Sequence, residues 1–200
     1  MKLGIDVGST TVKLVLLNEN NEIKYSKYER HMSNVFDKVE ELVKEAYDNM
    51  GDITVKAVVT GSGGLALAEK AGIPFEQEVI TCSRAVEELI PETETAIELG
   101  GEDAKIIFLT GGFEMRMNGT CAGGTGAFID QMAALMQVTP DELDSLASHH
   151  EKICTIASRC GVFAKSDVKP LLNQGARKED IAAGIFYAVV GQTIAGLAQG

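Results

Sequence analysis

One short pattern occurs twice in this chain and limits its fold more than any other feature. Gly4-Ile5-Asp6-Val7-Gly8 and, 92 residues on, Ala96-Ile97-Glu98-Leu99-Gly100 share the same order: apolar residue, acid, apolar residue, glycine. In both places a strand-like run ends in a glycine-containing polar turn, and further short strands and then helices follow. A supersecondary unit that recurs at this distance is a repeat of fold rather than of sequence. Strands mixed with helical patterns make the class α/β. Two duplicated lobes are expected, residues 1–93 and 94–200.

The pattern along the chain supports this reading. Lys2 to Val7 and Val12 to Leu17 form a hairpin around Gly8-Ser9-Thr10-Thr11, and Glu22 to Tyr28 adds a third strand. Ser33-Asn34 caps a helix running to about Met50, with Val35, Val39, Leu42, Val43 and Ala46 on its core face. Val55 to Thr60 is a strand, Gly61-Ser62-Gly63-Gly64 opens a helix over 65–71, and Thr81 to Ile90 is a helix stopped by Pro91. The order then restarts with strands at Thr95–Leu99, Ile106–Leu109 and Phe113–Met117. Helices follow at about 124–137, 140–148, 162–174 and 178–198. The strand expected after the last helix is missing and Gly200 is still in helical register, so the chain reads as part of a longer protein with its second lobe truncated.

Composition excludes several function classes. With 45% hydrophobic and 24% charged residues the chain can bury a core, which rules out disorder. The 29 acidic residues against 18 basic give a net charge of -11, which repels nucleic-acid backbones and anionic membranes unless a basic patch forms, and none is seen. No run approaches eighteen consecutive apolar residues, and Met1-Lys2 leads into a strand pattern rather than an export signal, so a cytoplasmic protein is expected. An acidic surface still accepts an anionic ligand where backbone amides do the binding.

Asp6-Val7-Gly8-Ser9-Thr10-Thr11-Val12-Lys13 suits that task. Glycine lets the backbone approach a phosphate, turn amides and hydroxyls donate to it, Lys13 adds a cation, and a carboxylate holds Mg2+ through water. It is not a P-loop, because no Gly-Lys-Ser/Thr opens a helix. Taken alone it is also an ordinary polar hairpin. The second copy, Glu98-Leu99-Gly100-Gly101-Glu102-Asp103, favours a pair of turns acting as a phosphate clamp.

The four cysteines sit in a chain without an export signal, so they read first as thiols, metal ligands or nucleophiles. Cys121 precedes a Gly-Gly-Thr-Gly stretch that opens one helix, and Cys160 precedes Gly161 at the start of another. A helix N-terminus lowers thiolate pKa and favours an anionic cluster. The two are half of a four-cysteine site that a two-fold dimer would complete. They also read as buried structural thiols. Cys154, in a strand-like Ile-Cys-Thr-Ile, reads as core, and Cys82, at a helix opening, is the better outside candidate. His149-His150-Glu151 is a polar helix end, since neighbouring helical residues point apart. Met132 and Met136 read as core filling.

The hairpin and the repeated turn resemble the acetate kinase, sugar kinase, Hsp70 and actin superfamily, which has a ribonuclease-H-like (actin-like ATPase) fold. Three stretches are more specific: Gly100-Gly101-Glu102-Asp103-Ala104-Lys105, Cys121-Ala122-Gly123-Gly124-Thr125-Gly126-Ala127-Phe128-Ile129-Asp130, and Ser158-Arg159-Cys160-Gly161-Val162-Phe163-Ala164-Lys165-Ser166. They resemble the activators of 2-hydroxyacyl-CoA dehydratases, the BadF/BadG/BcrA/BcrD ATPase family, over residues 2–200. The wording from Ala122 to Met132 looks most like large fused members in which activase-like domains precede a dehydratase-like region.

The resemblance implies an ATP-driven electron donor, a homodimer sharing one [4Fe-4S] cluster, with a 2-hydroxyacyl-CoA dehydratase-like iron–sulfur protein or region as partner. It puts cluster ligands at Cys121 and Cys160. Contacts to ATP or ADP fall at Gly8, Ser9, Thr10, Thr11, Val12, Lys13, Gly100, Gly101 and Asp130, and the Mg2+-orienting carboxylates at Asp6 and Glu98. Three residues depart from the family pattern: Glu98 for Asp, Glu102 for Gln, and Ser83 for His after Cys82. The family's C-terminal Gly-Gly adenosine motif is not in this sequence. Two other readings use the same fold, a small-molecule kinase, and a redox-inert nucleotide-sensing or docking domain of a larger protein.

Overall fold

Ile5 and Val7, and then Val12, Leu14 and Leu16, recur at every second position, so the strands that carry them can turn these residues to one core face. In the computed structural model, which describes residues 1–112, 114–118, 124–157 and 161–197, they lie on β1 (Lys2–Val7) and β2 (Thr11–Leu17). These strands pair antiparallel, with Asp6 opposite Lys13 and Val7 opposite Val12. β3 (Ile23–Arg30), α1 (Val35–Met50) and β4 (Lys56–Thr60) follow, then α2 (Gly64–Ala71) and α3 (Glu78–Leu89). β4 joins parallel to β1, giving a sheet of order β3-β2-β1-β4. Its apolar face meets Val39, Leu42 and Ala46 of α1 and Leu67 and Ala68 of α2.

The chain divides into two compact units, Met1–Thr93 and Glu94–Gly200. The second opens with β5 (Thr95–Leu99), β6 (Ala104–Phe108) and β7 (Glu114–Met117), an antiparallel sheet of order β5-β6-β7. Four helices follow: α4 (Gly126–Met136), α5 (Pro140–Ser148), α6 (Gly161–Asn173) and α7 (Lys178–Leu197). Thr139 and Glu142 cap α5 reciprocally, the side chain of each accepting from the other's backbone N–H. Met132 and Met136 are buried with Phe128, Leu143, Ile181 and Ile185, so the methionines do fill the core. By length and composition α7 is apolar enough to cross a membrane. In this fold it packs against α4, α5 and α6, with Ile181, Ile185 and Val189 buried.

Several elements differ from the sequence reading. α3 begins at Glu78, three residues before the expected Thr81, because the Thr81 hydroxyl donates back to the Glu78 carbonyl from inside the helix. Cys82 therefore lies within the helix rather than at its opening. β6 begins at Ala104, two residues before the expected Ile106, since the Ala104 N–H is taken by the Asn118 side chain and the turn ends at Asp103. Asn34 stands at the N-cap of α1, yet neither it nor Ser33 supplies a side-chain cap. Val43 of the expected core face is 39% exposed, at the edge of the helix's buried stripe.

The stretch around Cys154 is not a strand. It runs along α7, the Cys154 N–H donating to the Asp180 carbonyl at 3.2 Å. A Cβ added at Gly184 would lie 2.3 Å from the Cys154 carbonyl oxygen, so α7 needs glycine at this crossing. Cys154 still packs against the core.

Asp180 holds the same junction. Its buried Oδ1 accepts from the N–H groups of Glu151 (2.9 Å) and Lys152 (3.1 Å), and those bonds hold its carboxyl below the usual carboxylate range. A carboxyl depressed on folding stabilises the fold above its unfolded pKa of about 4, and that contribution is lost as pH falls through the lower folded value. Urea unfolding at pH 7 and pH 3 is expected to show a smaller drop in midpoint for Asp180→Asn than for the unmutated chain. An equal drop would show that Asp180 does not carry this pH dependence.

Candidate functional site

The expected phosphate turn is built on the β1–β2 hairpin. Gly8 N–H donates to the Thr11 carbonyl at 2.9 Å and closes the turn. Thr11 and Val12 are buried, so Ser9 and Thr10 form the half-exposed tip. Their N–H groups make no hydrogen bond among the described residues, which leaves two donors at the tip. Gly8 differs from the expectation in one respect, since its own N–H is spent inside the turn.

Asp6 stands one residue before the end of β1. Its Oδ2 accepts from Lys13 Nζ at 2.7 Å, and Lys13 also lies 5.4 Å from the centre of the Tyr28 ring. Burial works against the Lys13 ammonium. The hydrogen bond and charge of Asp6, helped by Tyr28 and Glu78, outweigh it and hold the lysine pKa above its usual value. Lys13 is thus bound to the carboxylate before any phosphate arrives. The other oxygen, Asp6 Oδ1, is buried and has no hydrogen-bond partner among the described residues. A buried carboxyl oxygen left in this way lacks compensation that a hydrated cation would supply.

Gly61 explains how that oxygen is enclosed. It follows β4 with φ +93°, and a Cβ there would lie 2.3 Å from both Asp6 Oδ1 and the Val7 carbonyl oxygen. Gly63 N–H donates to the same Val7 carbonyl at 2.8 Å, so the loop after β4 lies on the end of β1. Gly61→Ala is expected to cost about 3 kcal/mol of stability, from overpacking and an unsuitable backbone angle together. Denaturant titration checks this, and an unchanged midpoint would refute the close approach.

The second hairpin reproduces the first within its own unit. Glu98 stands opposite Lys105 in the β5–β6 register, and Lys105 Nζ donates to Glu98 Oε2 at 3.1 Å. The acid-to-lysine separation is seven residues in both hairpins. Gly100 N–H donates to the Asp103 carbonyl at 2.8 Å, the counterpart of the Gly8–Thr11 bond. One further contact has no equivalent in the first unit. The N–H groups of Gly126 and Ala127, which open α4, donate to the carbonyls of Gly100 and Gly101, each at 2.8 Å. Gly126 has no room for a side chain that would not press on Gly100, its added Cβ falling 3.2 Å from that carbonyl oxygen. Asp130 lies one helical turn further along α4 and is half-buried.

Cys121 and Cys160 lie outside the described residues. The helices that follow them begin close together: a Cβ at Gly161, the first residue of α6, would meet the Phe128 ring of α4 at 3.3 Å. Among the described residues no group of three or more His, Cys, Asp or Glu could hold a metal ion. His149 caps the end of α5 and bonds locally to Ser145 and Ser148.

Three residues that matter to these turns escaped the sequence reading. Lys105 had a signal, the repeated seven-residue spacing from an acid. Gly61 had a weaker one, a glycine directly after a strand. His31 had none, because its place depends on how the β3–α1 connection folds back on the first turn.

Comparison with known proteins adds to this geometry. The sequence pattern of the BadF/BadG/BcrA/BcrD ATPase family matches residues 3–199. The 2-hydroxyisocaproyl-CoA dehydratase activator of Clostridioides difficile is 35% identical, over 94% of this chain and 71% of its own length. The (R)-2-hydroxyglutaryl-CoA dehydratase activating ATPase of Acidaminococcus fermentans is 34% identical, over 96% and 75%. Among solved structures, the Clostridium difficile activator with bound ADPNP aligns with a TM-score of 0.84 at 32% identity, covering 97% of this chain and 74% of that one. Component A of the Acidaminococcus fermentans (R)-2-hydroxyglutaryl-CoA dehydratase gives 0.83 at 31%, covering 97% and 76%. The fold is the ribonuclease-H-like, actin-like ATPase class expected from the sequence.

Proposed function

This chain belongs to the BadF/BadG/BcrA/BcrD ATPase family, and on that premise we propose that it couples ATP hydrolysis to electron delivery into a 2-hydroxyacyl-CoA dehydratase-like iron–sulfur partner. Three relatives bear names of dehydratase activators, and a solved relative carries ADPNP. The observation that carries the nucleotide part is the buried Asp6 Oδ1, without a hydrogen-bond partner among the described residues, beside a turn whose two tip N–H groups are likewise unspent among them.

In this reading Asp6 orients a hydrated Mg2+, while Lys13, 2.7 Å from its Oδ2, holds the carboxylate in place. Ser9 and Thr10 donate to phosphate oxygens, and Gly8, Thr11 and Val12 hold the turn in shape. Glu98 is the matching carboxylate of the second lobe, with Gly100, Gly101 and Asp130 as further nucleotide contacts. The overall step is ATP and water to ADP and phosphate.

Cys121 and Cys160, with the same pair from a second copy, would hold a [4Fe-4S] cluster, which supplies a one-electron reductant. The close starts of α4 and α6 support a shared role for the residues just before them. The proposed setting is the cytoplasm, where the thiols stay reduced. Two measurements on the natural full-length protein test the reading: Mg2+-dependent ATP hydrolysis, and an anaerobic iron and sulfide count with a visible spectrum. Hydrolysis without bound iron would remove the electron-transfer half, and iron without hydrolysis would remove the ATPase half.

A further inference from the structure

His31 is 7% exposed, and both its ring and its backbone are committed to the β1–β2 turn. Its N–H donates to the Thr10 carbonyl at 3.2 Å. Nε2 lies 3.2 Å from the Gly8 carbonyl oxygen, and Nδ1 lies 3.1 Å from the Ser33 nitrogen. A backbone N–H can only donate, so Nδ1 is the acceptor and Nε2 carries the hydrogen given to Gly8. The ring is therefore a bracket whose two nitrogens play distinct roles, Nδ1 accepting from Ser33 and Nε2 donating to Gly8. Met32 (φ +46°) and Ser33 (φ +68°) both adopt the left-handed conformation, unfavourable for residues with a side chain, and the Ser33 N–H reaches Nδ1 from that bend.

The Gly8 carbonyl shares a planar trans peptide with the Ser9 N–H, so the two point in opposite directions. Fixing the oxygen toward His31 fixes the Ser9 donor away from it, at the half-exposed tip. We propose that His31 is a positioning residue of the nucleotide site: by holding the Gly8 carbonyl through Nε2–H, it aims the Ser9 N–H at a nucleotide phosphate. The proposal rests on the reading of the first turn as a phosphate site.

The two ring nitrogens can be tested separately. In His31→Gln the side-chain amide reaches the place of Nε2 and still donates to Gly8. In His31→Asn the shorter amide reaches only the place of Nδ1, so the bond to Gly8 is lost. KM for Mg-ATP in the full-length protein is expected to rise about 10- to 100-fold in His31→Asn, the range for one lost hydrogen bond to a charged group, with kcat changed less. His31→Gln is expected to stay within about threefold of the unmutated protein. A merely structural role would raise KM alike in both, because each loses one of the two ring bonds. Equal KM values, raised or unchanged, therefore overturn the proposal. Asp6→Asn is measured alongside. If it leaves both kcat and KM unchanged, the phosphate-site reading itself has failed. If it impairs hydrolysis while the two His31 variants match, only the role of His31 has failed.

Discussion

Asp6→Asn is expected to lower Mg2+-dependent ATP hydrolysis by about 100- to 1,000-fold, the usual loss when a charge aimed at a phosphoryl-transfer site is removed. The substitution keeps shape and removes charge. Asn can still accept from Lys13, so the 2.7 Å link across the hairpin has a replacement. The buried Oδ1 position is where charge matters, because no donor among the described residues compensates it. An amide there attracts a hydrated cation far less than a carboxylate does. Unfolding by heat and by urea should change little, which separates lost catalysis from lost fold. Unchanged turnover in a folded Asp6→Asn protein would reject the assignment of the first turn as the Mg2+-nucleotide site.

Cys121→Ala and Cys160→Ala are each expected to abolish cluster binding. Reconstituted without air, the unmutated protein should contain about four iron and four sulfide per dimer, as one four-cysteine cluster requires. Either substitution removes two of four ligands from such a dimer. Cys82→Ala and Cys154→Ala should leave the iron count alone, as Cys82 sits inside α3 and Cys154 packs beneath α7. Iron analysis, the anaerobic visible spectrum and the mass in solution are the readouts. An empty site in Cys82→Ala, or a complete cluster in a monomer, would reject the bridged dimer. Preparation in air is no test, because such clusters are lost to oxidation.

Much of the fold was legible because its signals are local. Short apolar runs on either side of a Gly-Ser-Thr turn marked β1 and β2, and period 3.6 marked α1. The errors arose where a side chain bonds differently from its usual habit. Thr81 looked like a helix start, yet its hydroxyl donates back to the Glu78 carbonyl inside α3. The apolar run around Cys154 looked like a strand, yet among the described residues no strand pairs with it, and it lies along α7 where Gly184 leaves room. Burial alone does not distinguish an apolar strand from an apolar segment laid along a helix.

The sequence by itself determined the repeated acid–glycine turn, the class of fold and the residue types suited to phosphate, because each depends on neighbours a few positions apart. Its seven-residue spacing from Asp6 to Lys13 and from Glu98 to Lys105 already contained both ion pairs, since the hairpin register makes those residues opposite. Only the tertiary structure decided which atoms of the turn remain available. Gly61 seals one side of Asp6 from the loop after β4, His31 takes the Gly8 carbonyl from the end of β3, and the opening amides of α4 are spent on Gly100 and Gly101. Each of those contacts joins residues more than twenty positions apart, and no local propensity records where a distant backbone N–H or carbonyl will point.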